Sequence, residues 1–268
     1  MAKQLGHVKY KGTIGEIRHF KIKGLSGNFA SLNGGASAQQ IKNDAAFVRT
    51  RENMNEFGGC ASAARSVRVG LNMLMKQMSD PQLTGRITAI MKKINLEDQS
   101  EARGIRAIMV SQQGQYLKGM AFNRHISFDG VFYAPFSISY EASRASSTLE
   151  IPAFNPQNTI KMPAGATHFR VISTLSVVSD YFYNSTTGIY EPMESEMNEI
   201  SKVIYSDYQD LRTPNVDAIT LNVGFDGGPT IPVNVAVLSC VGVEFYQQVG
   251  SNYYLFSSGN ALKIQNVI

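Results

Sequence analysis

VNVAVLSCVGVEF, residues 233–245, is the most apolar run in the chain. Asn234, Ser239 and Gly242 interrupt it, so it falls short of the about 18 consecutive apolar residues a membrane span needs. Within it Val241, Val243 and Phe245 alternate with Gly242 and Glu244, the period of a strand. The same alternation recurs upstream. Ile219, Leu221 and Val223 alternate with Thr220 and Asn222, Leu149 and Ile151 with Thr148 and Glu150, and Phe136, Ile138 and Tyr140 with Ser137, Ser139 and Glu141. Turn signals punctuate these runs at Asp129-Gly130, Pro163–Gly165, Asn184–Gly188, Asp226–Pro229 and Gly250–Asn252. Half-polar strands with regular turns predict an antiparallel β-sandwich over residues 114–268.

Upstream of that domain the pattern changes to the helical period over residues 37–113. Asp44 is a cap for a first helix through Phe47, Val48 and Met54, ending at Gly58-Gly59. Val67, Leu71, Leu74, Met75 and Met78 form one apolar helical stripe. Asp80-Pro81 reads as the start of the next helix, with Ile87, Ile90, Met91 and Ile94 on one face and Lys92 and Lys93 near its end. Asp98 with Glu101 predicts a third, short helix through Ile105, Ile108 and Met109. Residues 1–36 read as an extended arm or β-hairpin, with Gly12 and Gly15 bracketing a bend and GLSGN (24–28) and LNGG (32–35) supplying turns. A hairpin of that size is marginal alone in water and must lean on its own C-terminal domain or on a neighbouring copy. The fold class is therefore α+β: an extended N-terminal arm, a small helical layer and a C-terminal antiparallel β-sandwich.

The chain has 268 residues, 43% hydrophobic and 17% charged, too apolar for disorder and long enough for a real core. Its opening, MAKQLGHVKY, has no apolar segment of the secretory type, so the expected location is the cytoplasm, with release as an assembled particle or export by another route left open. The net charge of +4 hides a division. Residues 1–125 carry 19 Lys and Arg against 8 Asp and Glu, and residues 126–268 carry 6 against 13. Charge asymmetry on this scale predicts an organised field.

Catalytic motifs are missing. There is no GxSxG, phosphate-binding loop, HExxH or paired CxxC, and His7, His19, His125 and His168 lack metal-ligand spacing. Cys60, in GGCASAA, and Cys240, in the apolar strand, read as small buried hydrophobes. No enzyme, cofactor, metal or small-molecule substrate is expected. The most site-like feature is the acidic group Glu191, Glu194, Glu196 and Glu199 followed by Asp207 and Asp210, whose spacing matches no calcium loop and reads as a solvated negative face. Asn184-Ser-Thr reads as a hairpin tip. On the basic side, Lys3, Lys9, Lys11, Arg18, Lys21 and Lys23 interleave with Tyr10, Phe20 and Phe29, a combination that also suits nucleic acid.

KGTIGEI (11–17), IKNDAAFVRTREN (41–53) and NEFGG (55–59) resemble a family of uncharacterised proteins encoded in Bacteroidota genomes. The likeness continues through IPAF (151–154), PAGATHF (163–169), GVEFYQQV (242–249) and GNALKI (259–264), nearly the full length. Members typically have proline where this chain has Ala45. The resemblance implies a bacterial or bacteriophage-related setting and carries over no catalytic or binding residue. In the second block Arg49, Arg51 and Glu52 surround Phe47 and Val48 at a helix start, and arginine forks suit carboxylates. They either pin that helix to its own β-domain or meet the acidic surface of the next subunit.

The expected function is structural: a self-assembling subunit of a homopolymeric filament, tube or shell, its partners copies of itself. Lys9, Lys11, Arg18, Lys21, Lys23, Arg49 and Arg51 form the basic side of the contact, and Glu191, Glu194, Glu196, Glu199, Asp207 and Asp210 the acidic side. The alternatives are a coat-like protein that packages nucleic acid and a carbohydrate- or surface-binding module using Tyr181, Tyr183, Tyr190, Tyr253 and Tyr254 as exposed aromatics.

Overall fold

A computed structural model describes residues 1–32 and 34–268. Asn33, inside the expected LNGG turn, lies outside the described residues. Two compact units result, residues 1–51 and 52–268. The division does not coincide with the boundaries expected at 36 and 113, because the buried faces of the helices share one core with the C-terminal strands.

The first unit is a four-stranded antiparallel sheet of β1 (Ala2–Lys3), β2 (Gly12–Ile14), β3 (Ile17–Phe20) and β4 (Phe29–Leu32), in the order β1-β4-β3-β2. Gly15, at a φ of 58°, supplies the left-handed residue of the tight β2–β3 turn. Ile14 lies opposite Ile17, and Ile17 opposite Leu32, so the three form one apolar row across three strands. That row is open, at 57%, 43% and 74% exposed. Among the described residues 1–51 none is buried. Helix α1 (Ala38–Asn43) follows, closed at its start by a reciprocal Ser37–Gln40 capping box. Asp44 ends α1 and caps only a single 3-10 turn, Ala45–Phe47, through a bond from Ala46 N.

Helix α2 (Val48–Gly70) does not stop at Gly58-Gly59. Glycine is a weak helix former, but Gly59 faces the core, where a Cβ would sit 2.4 Å from Tyr190 Cγ; packing against that ring carries the helix through. Gly59, Cys60, Ala63, Ala64, Ser66, Val67 and Gly70 make a buried face of small residues. The expected 67–78 stripe is buried as read at Val67, Leu71, Leu74 and Met78. It is nevertheless split between α2 and α3 (Asn72–Met78), because the helix breaks just after Gly70, where a Cβ would meet Ser176 Oγ at 2.2 Å. Asp80 does not cap α4 (Leu83–Glu97). Its carboxylate accepts Gln82 N at 2.7 Å across the turn holding Pro81, and Gln82 is the N-cap residue. Ile87, Met91 and Ile94 do face the core.

The short helix expected after Asp98 is replaced by an irregular loop. Asp98 takes Ser100 N at 2.8 Å and Ala107 N at 2.7 Å, and Asn95 Nδ2 donates to Arg106 O at 2.7 Å, so side chains claim groups a helix would have used. Strand structure also starts later than residue 114. The elements are β5 (Ser137–Tyr140), β6 (Ser146–Ile151), α5 (Pro156–Thr159), β7 (His168–Ser179), β8 (Tyr181–Asn184), β9 (Ile189–Pro192), β10 (Ser201–Tyr205), β11 (Gln209–Asp210), β12 (Ile219–Gly224), β13 (Val235–Val249), β14 (Asn252–Leu255) and β15 (Ala261–Val267).

They form three antiparallel sheets: β12-β6-β5, the β8-β9 hairpin, and a large sheet in the order β10-β7-β13-β14, with β11 on β7 and β15 on β13. β7 and β13 pair from Val235↔Ser179 to Tyr246↔His168, and the first twelve residues of β13 are all buried. The two-residue period of a strand explains why. Ile172 and Val178 of β7, with Leu238 and Cys240 of β13, join the helices in one cluster. Phe169 and Val171, with Val241, Val243 and Phe245, join Leu149, Ile151, Ile219 and Leu221 of the smaller sheet in another. Burying such side chains is worth about 1.5–3 kcal/mol each. The fold is thus a mixed helix-and-strand protein dominated by antiparallel sheets.

Candidate functional site

The basic residues of the first unit differ in what they are free to do. Lys11, Lys21 and Lys23 are exposed and, among the described residues, have no side-chain partner. Lys9 Nζ donates to the carbonyls of Gln4 and Gly6 and closes the loop after β1. The Arg18 guanidinium lies 4.8 Å from the centroid of the Phe20 ring. Arg49 is exposed in the first turn of α2. Arg51 Nη1 donates to Ile41 O at 2.7 Å and Asp44 O at 2.8 Å, so its fork satisfies the carbonyl end of α1.

The acidic residues are distributed over three features of the second unit. Glu191, on β9, accepts Asn184 Nδ2 and Thr187 Oγ1, both at 2.8 Å, and these bonds hold its carboxyl below the ordinary range. Asn184 sits at the expected hairpin tip, where it also accepts Thr186 N. In the loop before β10, Glu194 accepts Asn234 Nδ2 at 3.0 Å and Glu196 stands exposed. Glu199, with a φ of 69°, accepts Ser66 Oγ at 2.8 Å and lies 3.6 Å from Arg65. Around β11, Asp207 is exposed, while Asp210 pairs with Arg212 at 3.1 Å and is lowered chiefly by that bond. Glu196 and Asp207 are the members of the group whose carboxylates, among the described residues, have no partner. Among the described residues no group of three or more His, Cys, Asp or Glu is placed to hold a metal ion.

The five tyrosines expected to be exposed do not form a platform. Tyr181 and Tyr190 are core residues, because both lie against the helical layer. Tyr181 OH is 2.6 Å from Ser66 Oγ and Tyr190 OH donates to Arg106 O at 2.9 Å. Tyr183 packs on Tyr190, and Tyr254 is exposed. Tyr253 instead stacks on Tyr208, their centroids 3.9 Å apart and the rings 4° from parallel.

That pair belongs to a constellation the sequence did not single out. Arg170 of β7 lies over Tyr205 at 4.5 Å and over Tyr208 at 4.8 Å, and its Nε donates to Ser206 O at 2.8 Å. Glu244, directly opposite Arg170 in the β7–β13 register, is buried and accepts Tyr246 OH at 2.6 Å. Burial pushes the Glu244 carboxyl above the ordinary range. The faint signal in the sequence is one charged residue in each of two apolar strands, recognisable as a pair only once the register is known. Tyr208 is flanked by Arg170 and by Tyr253, so the stack ties β7, β14 and the chain before β11 together.

No protein-family model matches the chain, and no curated protein matches it. Among the described residues no helix is long and apolar enough to cross a membrane.

Proposed function

We propose that the chain is a structural subunit that assembles with copies of itself, its first unit docking on the acidic region of the next copy. One observation carries this reading. Residues 1–51 form a sheet without a single buried side chain among the described residues, and hold nine Lys and Arg against two Asp and Glu. A sheet gains its stability from a buried face, and this one has its apolar row, Ile14, Ile17 and Leu32, open to water. The rest of the chain holds sixteen Lys and Arg against nineteen Asp and Glu, which gives the arm an oppositely charged destination on another copy. Contacts between two different patches are head-to-tail, and they close into rings and shells or run on as filaments and tubes.

In this reading the large sheet and the β12-β6-β5 sheet are the two layers of a β-sandwich that presents the acidic surface. Lys11, Lys21 and Lys23 meet Glu196 and Asp207, whose carboxylates are not already engaged, while Glu191, Glu194, Glu199 and Asp210 keep their own loops in shape. Arg51 sets the entry of α2 and does not cross to the neighbour. The test is light scattering coupled to size-exclusion chromatography, on the full chain and on a chain lacking residues 2–36. The full chain should run at multiples of 29.4 kDa that grow with concentration, and the shortened chain as a folded monomer. A full chain that stays at 29.4 kDa at its highest soluble concentration, or a shortened chain that assembles as well, overturns the proposal.

A second reading draws on exposed Tyr10 beside the unpaired Lys11, which also suits a coat-like protein whose arm faces nucleic acid. Purified particles whose ultraviolet spectrum shows nucleic acid that resists nuclease until high salt is added would favour it over a contact made of protein alone.

A further inference from the structure

We infer that the second unit carries an oxyanion-binding socket centred on Arg68. Among the described residues Arg68 is the one arginine of twelve without a hydrogen bond, ion pair or ring contact. Its Nε is enclosed and unpartnered within a half-buried side chain, although an enclosed N–H normally finds an acceptor. The side chain leaves the last turn of α2 and lines a cavity of about 420 Å³ between α2, α3 and the start of α4. Asn72, Ser79 and Thr84 contribute polar groups to the same wall, and Met75 and Leu83 contribute apolar ones.

The carboxylate nearest to hand does not serve as its counter-ion. Asp80 also lines the cavity, but it accepts Arg86 Nη2 at 2.6 Å, Arg124 N at 2.9 Å and Gln82 N at 2.7 Å. Burial alone would raise the Asp80 carboxyl; those bonds outweigh it and hold it low, so its charge is compensated by groups other than Arg68. What remains is a fork of donors bonded to none of the side chains around it, with the Thr84 hydroxyl and the Asn72 amide in the same wall. Thr84 stands in the first turn of α4, whose N-cap residue Gln82 makes no side-chain cap. Planar or tetrahedral oxyanions match a guanidinium fork geometrically.

The ligand class is a small oxyanion, either free phosphate or a carboxylate presented by a second copy. The socket stands on Arg68 and its cavity alone and holds whether or not the chain assembles. The experiment follows the thermal midpoint and the scattered mass of the full chain in sodium phosphate against sodium chloride of equal ionic strength, for wild type and for Arg68→Gln. A free ion predicts a higher midpoint in phosphate for wild type at unchanged mass, and an affinity about tenfold or more weaker in Arg68→Gln. A neighbour's carboxylate predicts that phosphate lowers the assembled mass and that Arg68→Gln lowers it without phosphate. Either outcome supports the socket, and a monomer that binds phosphate keeps it while removing the assembly proposal. Thr84→Val, which loses a wall hydroxyl and keeps the charge, replaces Arg68→Gln if that variant does not fold. Wild type unaffected by phosphate in both midpoint and mass, or variants that respond as wild type does, overturns the inference.

Discussion

Two adjacent glycines in α2 should answer the same substitution with opposite signs. Gly58 is exposed and a Cβ added there meets nothing within 4 Å. Gly58→Ala therefore removes only the backbone freedom of a mid-helix glycine and should stabilise by about 0.5–1 kcal/mol. At Gly59 the added Cβ would lie 2.4, 2.6 and 2.7 Å from Cγ, Cδ1 and Cδ2 of Tyr190. Carbon atoms pack at about 3.5–4.0 Å, so the ring must retreat by about 1 Å. It has little room: Tyr190 is buried in the helix-side cluster and its hydroxyl is fastened to Arg106 O. Overpacking of this kind costs about 1–3 kcal/mol, and a strained Tyr190–Arg106 bond removes more of the gain in helix propensity. The net expectation is a loss of about 1–3 kcal/mol. In a domain of this size a loss on that scale lowers the thermal midpoint by roughly 3–10 °C, while Gly58→Ala raises it by a few degrees. Calorimetry or circular dichroism on the two variants measures the difference directly. Shortening the ring, as in Tyr190→Ala, should abolish most of the Gly59→Ala penalty because the two positions are coupled through one contact. If Gly59→Ala is as stable as Gly58→Ala, α2 does not press on Tyr190 and the close contact between Gly59 and that ring is refuted.

Three further outcomes follow from other parts of the second unit. Arg144 donates to Ile231 O at 2.9 Å, Pro232 O at 2.7 Å and Val235 O at 3.0 Å, so Arg144→Ala should cost about 2–3 kcal/mol in urea unfolding, and a change within error would refute the clamp. Buried Glu56 takes a bond from Lys92 and one from Gly104 N at 2.7 Å; although burial raises its carboxyl, these bonds and the Lys92 and Arg106 charges hold it below the ordinary 4.5. The stability this confers is complete above that value and is lost as the pH falls through the lower folded-state value. Glu56→Gln should thus cost about 2–3 kcal/mol near neutrality, less than a fully buried broken pair because Lys92 stays partly wet, and wild type and variant should converge in acid; curves that stay parallel down to acid unfolding would contradict the pairing. Burial pushes the Cys60 thiol up to about 12 and raises Cys240 too, so neither should react with an aromatic disulfide reagent until the protein is denatured, and a fast native-state reaction would show that α2 does not seal against the sheet.

The strands were readable because burial on one face writes itself as alternation. β6 and β12 match the expected pattern residue by residue, with Leu149, Ile151, Ile219, Leu221 and Val223 buried. β13 is buried on both faces over its first twelve residues, so its polar interruptions, Ser239 and Glu244, do not mark an outer face, and Glu244 takes an internal bond from Tyr246 OH. Helix limits were less readable because they are decided by partners distant in sequence. Gly59 stays helical on account of a ring more than a hundred residues away, and Asp98 closes a loop in place of starting a helix. The charged positions were found as residue types but not as roles. Which carboxylates stay free, here Glu196 and Asp207, depends on where Asn184, Ser66, Asn234 and Arg212 fall. Arg68 carries no signal in the sequence at all, since its distinction is the lack of a partner.

The placement of β13 also dictates the order in which this chain can mature. The sheet face that receives α2 and α4 is built from β7, β13 and β15, so the cluster holding Ile87 and Met91 is complete only once residues 235–264 have been synthesised. Pairings between elements so distant along the chain are slow to find, because the closing loop is long before any contact rewards it. Ribosome-bound intermediates are therefore expected to expose part of an apolar helical layer and the β13-side edge of β7, the kind of surface chaperones hold. When β13 pairs with β7 and β15 then adds to β13, the clusters on both faces of the sheet gain their last strands together.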